Sequence, residues 1–302
     1  MNVSLLPSLG YRIKCIHRTR QVLQIRLSSS KRWQARQLKD HFTREAAVQG
    51  LKSRAAFKLL QIDEKYRLFK SGQTVVDLVA LTRTQPNGRV LGVDIIPSQP
   101  PRGVSTIQGN FLDPEVQAYV RDFVRDPRRG RPYSQGSTGD PVGPGGAMES
   151  VLEARLGGVC LRENSGGNED GRSNSQGTVD VVLSDMSAPW HQTSGFWKRS
   201  LSNPYYRMMN TSGLTFRDHA GSMDLCRAAL EFSFEVLRAG GHFVCKFYQG
   251  AEDKDLEKQL RALFQRVHRL KPESSRSESK EAYFIGLERK LNANKQDVHG
   301  SF

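Results

Sequence analysis

Two apolar stretches decide the fold class of this 302-residue chain: Val179-Asp-Val-Val-Leu-Ser-Asp185 and Gly241-His-Phe-Val-Cys-Lys-Phe-Tyr248. Both are short and almost continuously apolar, which is typical of β-strands that helices cover on both faces. A helical pattern, Ser222–Arg238, lies between them. Two buried strands joined through a helix indicate a parallel pair inside an α/β sheet.

The same alternation of strand and helix patterns continues along the chain. Further strands are predicted at Thr74–Leu81, Arg89–Ile96, Val104–Gln108, Gln265–Leu270 and Ala282–Leu287. Further helices are predicted at Ser53–Phe69, Glu115–Arg125 and Asp253–Phe264. This order predicts a doubly wound α/β sheet.

Composition excludes several classes of protein. No run approaches the ~20 apolar residues that a membrane-spanning helix needs. The four cysteines are scattered and form no CxxC pair, which argues against a disulfide scaffold or a zinc ribbon.

The net charge of +14 is concentrated at the N-terminus. Residues 1–39 hold nine of the 45 Lys and Arg residues and no acid, which leaves a net charge of +5 for residues 40–302. Residues 1–30 are rich in Arg, Leu and Ser, and we interpret them as a mitochondrial transit peptide. The alternative is a basic arm that binds nucleic acid directly.

Residues 127–178 interrupt the α/β pattern. They hold 12 of the 27 glycines together with Ser, Asn, Arg and Pro, so we interpret them as a low-complexity, disordered insertion. A helix-like pattern at Met148–Leu156 is the exception. The polar tail, residues 290–302, is predicted to be loose.

Polar residues stand at the predicted carboxyl ends of four strands: Asp77, Asp94, Asn110 and Asp185. Ligands of open α/β sheets bind at this edge, and a carboxylate that ends the second strand can accept hydrogen bonds from two ribose hydroxyls. Together these residues indicate a nucleoside-type cofactor. Each alone could equally be a helix cap or a turn residue.

Lys246 lies within an apolar strand, where lysine is seldom buried without a partner. A desolvated lysine loses its charge readily and can act as a general base, with Asp185 as its natural companion. The alternative places Lys246 at a strand end, with its ammonium group reaching solvent.

Residues 186–222 combine aromatic and basic side chains: Trp190, Phe196, Trp197, Tyr205, Tyr206 and Phe216 with Lys198, Arg199, Arg207 and Arg217. Such a mixture can stack unpaired bases and contact phosphates. A lid that buries its aromatic residues explains the pattern equally well.

Seven motifs occur in the order seen in the FtsJ-type ribosomal RNA 2′-O-methyltransferases, and the chain resembles that family from Ala46 to Arg289, apart from the insertion. The motifs are Ser53-Arg-Ala-Ala-Phe-Lys58-Leu, Thr74-Val-Val-Asp77-Leu, Val93-Asp94-Ile-Ile-Pro97, Gln108-Gly-Asn110-Phe, Ser184-Asp185-Met-Ser-Ala-Pro189, Val244-Cys-Lys246-Phe-Tyr-Gln-Gly250 and Arg276…Lys280-Glu281-Ala-Tyr283. The resemblance implies a Rossmann-like, S-adenosylmethionine-dependent methyltransferase sheet with an antiparallel last strand.

The resemblance also implies a catalytic tetrad of Lys58, Asp185, Lys246 and Glu281. Lys246 would take the proton of a ribose 2′-hydroxyl, and Asp185 would orient Lys246. Lys58 would lower the pKa of Lys246 by the repulsion of like charges. Glu281 would orient the lysines. Without the family, Lys58 reads as a helix-surface residue and Glu281 as a solvated strand end.

The cofactor and substrate follow from the same resemblance. Asp94 would bind the ribose of S-adenosyl-L-methionine, Asn110 its adenine, and Asp185 would lie beside it. Asn110 stands where the family usually has an acid. Together with the N-terminal segment, the resemblance implies a uridine of mitochondrial large-subunit ribosomal RNA as the target. The reaction would take place in the matrix, on free RNA or on RNA within an assembling subunit. The enzyme is expected to be a monomer without a bound metal.

The connection after Asp77 departs from the family. The family has a glycine-rich cofactor turn and a helix here, whereas this chain has no glycine between Gly72 and Gly88. The connection is shorter than the roughly one dozen residues of a parallel crossover, and Pro86-Asn87-Gly88 predicts a β-hairpin. Either the chain has lost its cofactor loop, or its sequence derives from a gene model that skipped part of an exon. The missing turn favours an alternative function, that of an inactive, RNA-binding ribosome-assembly factor.

Overall fold

The computed structural model describes residues 40–49, 51, 54–76, 84, 87–97, 100, 103–126, 129–130, 148–150, 177–191 and 208–299. Several predictions lie outside these residues. They concern the transit peptide, Asp77 and most of the connection that follows it, most of the insertion, the aromatic and basic residues between 192 and 207, and the last residues of the tail.

Eight of the described strands form one sheet, and two more form a separate short ribbon. The strands are β1 Thr74–Val76, β2 Arg89–Asp94, β3 Val104–Gln108, β4 Met148–Ser150, β5 Val179–Ser184, β6 Trp190–His191, β7 Met208–Met209, β8 Leu237–Tyr248, β9 Phe264–Leu270 and β10 Glu281–Arg289. The large sheet has the order β4-β3-β2-β1-β5-β8-β10-β9, and β6 pairs with β7.

The last strand runs against its neighbours, as expected. The pairs β1–β2, β2–β3, β3–β4, β1–β5 and β5–β8 are parallel. Strand β10 lies between β8 and β9 and is antiparallel to both. The predicted α/β class with an antiparallel last strand is therefore confirmed.

Helices cover both faces of the sheet because apolar residues alternate between the faces along each strand. The helices are α1 His41–Val48, α2 Arg54–Tyr66, α3 Pro114–Arg125, α4 Thr215–Val236, α5 Asp253–Leu263 and α6 Lys295–His299. On one face, α3, α4 and α5 pack with Val76, Val182 and Phe243. On the other, α2 packs with Val75, Val181 and Val244.

The predicted hairpin around Pro86-Asn87-Gly88 is wrong. Strands β1 and β2 are parallel neighbours, with Thr74 opposite Arg89 and Val76 opposite Leu91. A hairpin would make them antiparallel. The turn signal is local, whereas β1 is held on both sides by parallel partners, since it also pairs with β5.

The helix predicted from the pattern at Met148–Leu156 is also wrong for the residues that the structure describes. Met148–Ser150 forms β4, which pairs with β3 in parallel register, Thr106 opposite Met148. An edge strand such as β3 has unpaired backbone groups, and an added strand satisfies them regardless of the helical pattern.

Helix α4 begins at Thr215, seven residues before the predicted start. Among the described residues, no helix is long and apolar enough to cross a membrane.

Candidate active site

The four predicted catalytic residues come from four different elements and meet in two ion pairs. Lys58 Nζ on α2 lies 2.5 Å from Oε1 of Glu281, the first residue of β10. Lys246 Nζ on β8 lies 3.2 Å from Oδ1 of Asp185, which follows β5. The structure thus gathers side chains that are up to 223 residues apart in the sequence.

Strand register explains why these side chains meet. In the parallel pair β5–β8, Ser184 lies opposite Cys245, so the next residues, Asp185 and Lys246, are neighbours at the carboxyl edge. In the antiparallel pair β8–β10, Tyr283 lies opposite Lys246.

Helix α2 brings Lys58 to the same place by packing on this face of the sheet through Leu59 and Ile62. The Lys58 side chain is 14% exposed and that of Glu281 11%. Neither residue is therefore a freely solvated surface group, although sequence reasoning without the family favoured that interpretation.

Lys246 is held by three oxygens. Besides its ion pair with Asp185, its Nζ donates hydrogen bonds to Asp185 O and to Ser187 Oγ, each at 2.7 Å. The side chain is only 7% exposed, so the alternative of an ammonium group in solvent does not describe it. Two N–H groups of Lys246 therefore make hydrogen bonds, and Nζ also faces the carboxylate of Asp185.

Tyr283 connects the two ion pairs, a role that sequence reasoning missed. Its hydroxyl donates to Asp185 Oδ1 at 3.2 Å. Burial, then the negative charges of Asp185 and Glu281 and hydrogen bonds to both, raises the pKa of Tyr283 well above its usual value. Tyr283 is therefore a neutral donor between two carboxylates. Its place two residues after Glu281, on the same strand face, was the available signal.

Tyr248 lies beside the same ion pairs, opposite Glu281 in the pairing of β8 with β10. Its hydroxyl donates to Asn210 O at 3.3 Å. Burial raises the pKa of Tyr248, and the charges of Glu281, Asp218 and Asp185 add to the effect. This residue was also missed, because its partners come from segments distant in the sequence.

Asp94 and Asn110 end β2 and follow β3, at the same carboxyl edge. Asp94 Oδ1 accepts the Ile96 backbone N–H at 3.0 Å, and Asn110 Oδ1 accepts that of Leu112 at 3.1 Å. Both therefore act as turn residues, as the alternative interpretation held. The second carboxylate oxygen of Asp94 has no hydrogen-bond partner among the described residues.

These groups fit the ribose and base of a nucleoside. A carboxylate has about four lone-pair sites, and Asp94 uses one of them within the described residues. Asn110 is exposed, and its amide keeps its donors and a second lone pair. The sheet order places β3, β2, β1 and β5 side by side, so both residues share the edge that carries Asp185. Within the described residues, no group of three His, Cys, Asp or Glu side chains could hold a metal ion.

Comparison with known proteins identifies the family of this chain. The model of the FtsJ-like methyltransferase family matches residues 51–289. The chain belongs to the FtsJ-like methyltransferase family. It is therefore a methyltransferase, and membership implies S-adenosylmethionine as the methyl donor.

Two relatives show how far the similarity extends. The chain is 42% identical to the mitochondrial rRNA methyltransferase 2 of Saccharomyces cerevisiae over 296 residues, which cover 90% of this chain and 91% of the relative. It is 30% identical to the ribosomal RNA large subunit methyltransferase E of Zymomonas mobilis, over 89% of this chain and 93% of the relative.

A solved structure supports the fold. A crystal structure described as a ribosomal RNA methyltransferase of Plasmodium falciparum superposes with a TM-score of 0.50 at 20% identity. The match covers 79% of this chain and 98% of the other.

The aromatic and basic segment of this FtsJ-like methyltransferase combines both interpretations in its described part. The Arg217 guanidinium lies 4.7 Å from the centre of the Trp190 ring, so these two side chains pack on each other. Phe216, in contrast, is 80% exposed, and the adjacent Leu214 is 57% exposed. The first turn of α4 therefore presents a bare aromatic ring beside a guanidinium group.

Proposed function

We propose that the chain transfers a methyl group from S-adenosyl-L-methionine to a ribose 2′-hydroxyl of mitochondrial large-subunit ribosomal RNA, with a uridine as the target nucleoside. One observation carries the proposal. The Lys246–Asp185 and Lys58–Glu281 pairs are joined through Tyr283 at the carboxyl edge of the sheet. The names of the yeast and bacterial relatives support the substrate class.

In this mechanism Lys246 is the general base. It must first lose a proton to solvent, and its neutral amine then keeps its two hydrogen bonds, to Asp185 O and Ser187 Oγ. The freed lone pair accepts the proton of the 2′-hydroxyl. Asp185 and Ser187, which contact Nζ, hold the amine in place.

The other residues position the base and the ribose. Tyr283 stays protonated and keeps one oxygen of Asp185 oriented toward β8. Lys58 holds the target ribose, and its partner Glu281 fixes the direction of Lys58. Because the reaction needs the hydroxyl in line with the methyl group, such positioning supplies much of the rate.

The cofactor would be held by Asp94, Asn110 and Asp185. Asp94 would accept hydrogen bonds from the ribose, Asn110 would contact the adenine, and Asp185 would lie beside the methionine end. S-adenosylmethionine supplies the methyl group that the ribose oxygen takes.

The surroundings of the site suit an RNA substrate. Phe216 is available for stacking on an unpaired base, and Arg217 beside it carries positive charge.

We further propose a transit peptide at 1–30 and a methyltransferase domain at 46–289, interrupted by the insertion 127–178 and followed by a loose tail, 290–302. The acid-free N-terminus and the mitochondrial relatives support a mitochondrial location. Within it, we propose a matrix enzyme that acts as a monomer on RNA, free or in an assembling subunit.

The base assignment is tested by Lys246→Ala. We expect methylation of an rRNA fragment to be abolished. The dissociation constant for the RNA should stay within about twofold, because Lys246 is only 7% exposed and offers little contact area. Lys258→Ala, which alters an exposed lysine on α5, is the matched control and should keep full activity. Retained turnover in Lys246→Ala would refute the assignment.

A second candidate function is an RNA-binding assembly factor without transfer activity. The absence of glycine between Gly72 and Gly88 favours it, because the family places a glycine-rich cofactor turn there. Calorimetric titration of S-adenosylmethionine into the full chain separates the two. We expect binding that weakens about tenfold or more in Asp94→Ala, since two ribose hydrogen bonds are lost. No binding to the unaltered chain would favour the assembly factor.

A further inference from the structure

A cluster of side chains outside the ion pairs ties three segments together around Asp40. Asp40 immediately precedes α1, and its Oδ2 accepts a hydrogen bond from Arg54 Nη1 on α2. The same oxygen lies 3.5 Å from Nη2 of Arg276, in the loop between β9 and β10. The Asp40 side chain is 7% exposed. One buried carboxylate oxygen therefore faces two guanidinium groups.

Further contacts join the same segments. Arg54 Nε donates to Ser274 O at 2.6 Å, across 220 residues of sequence. The backbone N and Oγ of Ser274 both donate to Gln61 Oε1, at 3.1 and 2.9 Å. Helix α2 is thus bonded to the 271–280 loop at two points. The Arg54 guanidinium also lies 5.3 Å from the centre of the Phe42 ring on α1.

The electrostatics show that Asp40 is the centre of this cluster. Burial by itself raises the pKa of Asp40. The charge of Arg54 and hydrogen bonds from Arg54, the Thr43 backbone and Arg276 outweigh burial and bring the pKa below its usual value. Asp40 is therefore ionised, and its single negative charge offsets part of the repulsion between the two guanidinium groups.

Both arginines lie close in the sequence to a member of the Lys58–Glu281 pair. Arg54 lies four residues before Lys58, on the same face of α2. Arg276 lies in the middle of the loop, five residues before Glu281, where β10 begins. The position of α2 against the loop therefore sets the distance between Lys58 Nζ and Glu281 Oε1.

We propose that Asp40 is a positioning residue for methyl transfer: it holds α2 against the 271–280 loop and thereby fixes the Lys58–Glu281 pair. This inference rests on the proposed function. Without the carboxylate, Arg54 and Arg276 lose their shared counter-charge, and their repulsion acts against the hydrogen bonds that Ser274 makes with α2. A shift of about 1 Å in a positioning group can cost on the order of 100-fold in rate.

The test uses the full chain with Asp40→Asn, which keeps the side-chain shape and removes the charge. We expect kcat to fall between about 10- and 100-fold, whereas KM for the rRNA fragment and Kd for S-adenosylmethionine stay near their original values. Asp40→Glu restores the charge and should recover part of kcat.

The matched control is Asp180→Asn. Asp180 is 14% exposed and also pairs with an arginine, Arg238, but it lies at the amino end of β5, away from the ion pairs. If Asp180→Asn lowers Tm as much as Asp40→Asn and leaves kcat intact, stability alone does not explain the loss. An equal loss of kcat in both variants would overturn the inference.

A second measurement separates this inference from the proposed function. Hydrogen exchange of residues 271–280 should be faster in Asp40→Asn than in the unaltered chain. Faster exchange with unchanged kcat overturns the positioning role and leaves the proposed function intact. If the unaltered chain transfers no methyl group, the proposed function is overturned. If hydrogen exchange in Asp40→Asn is unchanged, the inference that Asp40 holds α2 against the 271–280 loop is overturned.

Discussion

At the scale of single residues, the hydroxyl of Tyr283 links the two ion pairs of the site. It donates to Asp185, and its raised pKa keeps it protonated beside two carboxylates. Removing this hydroxyl takes away one of the two side-chain groups that hold Asp185 Oδ1 and leaves Lys246 as the other. It also removes a donor from Glu281.

We expect Tyr283→Phe to lower kcat roughly 10- to 100-fold, because a hydrogen bond to a charged group contributes about 1.5–3 kcal/mol. Single-turnover methylation measures the effect. Tyr119→Phe, which removes the hydroxyl that accepts from Arg129, is the control and should leave the rate unchanged. An unaltered rate in Tyr283→Phe would show that Lys246 alone keeps Asp185 oriented.

The sequence predicts single residues only as far as local context reaches. Lys246 and Asp185 are identifiable from the residues alone, since each interrupts or ends an apolar strand. Lys58 and Glu281 need the family resemblance, because an isolated lysine on a helix has no distinguishing context. The contact of Arg54 with Ser274 spans 220 residues, and no local pattern encodes such a contact.

At the scale of elements, periodicity predicts the sheet well and its connections poorly. The apolar runs at β5 and β8 predict parallel strands, and these strands pair as expected. Turn residues before β2 predict a hairpin, yet β2 is parallel to β1. Pairing depends on the whole sheet, so a two-residue turn signal does not decide it.

The first turn of α4 is the element that we expect to contact RNA. Phe216 is 80% exposed, so its removal should not affect the core. Stacking of a base on an aromatic ring contributes about 1–3 kcal/mol, and Phe216→Ala should therefore raise Kd for a single-stranded rRNA fragment roughly tenfold. Fluorescence anisotropy measures this change.

The control for Phe216 is Leu291→Ala, which alters another exposed apolar side chain, 69% exposed, beyond β10. Its Kd for RNA should stay unchanged. If both variants bind RNA as the unaltered chain does, the exposed ring of Phe216 serves another purpose and the RNA must approach from elsewhere on the carboxyl edge.

At the scale of the whole molecule, the uneven charge decides how RNA is recognised. Residues 40–302 carry a net charge of only +5, so general attraction to phosphates is modest and local contacts at the carboxyl edge must give specificity. Residues 1–30 contain five arginines and lysines. If these residues are a presequence, they take no part in RNA binding by the mature enzyme.

The salt dependence of RNA binding tests this division. Each phosphate contact to a single strand contributes about 0.7 to the slope of log K against log salt concentration. We expect the chain without residues 1–30 to keep the slope of the full chain, measured with one rRNA fragment over a series of NaCl concentrations. A direct-binding arm predicts instead that the slope falls by up to roughly 3.5 when five cations are removed. Because the slope counts contacts rather than affinity, a small change in Kd alone would not decide between these two roles of the N-terminus.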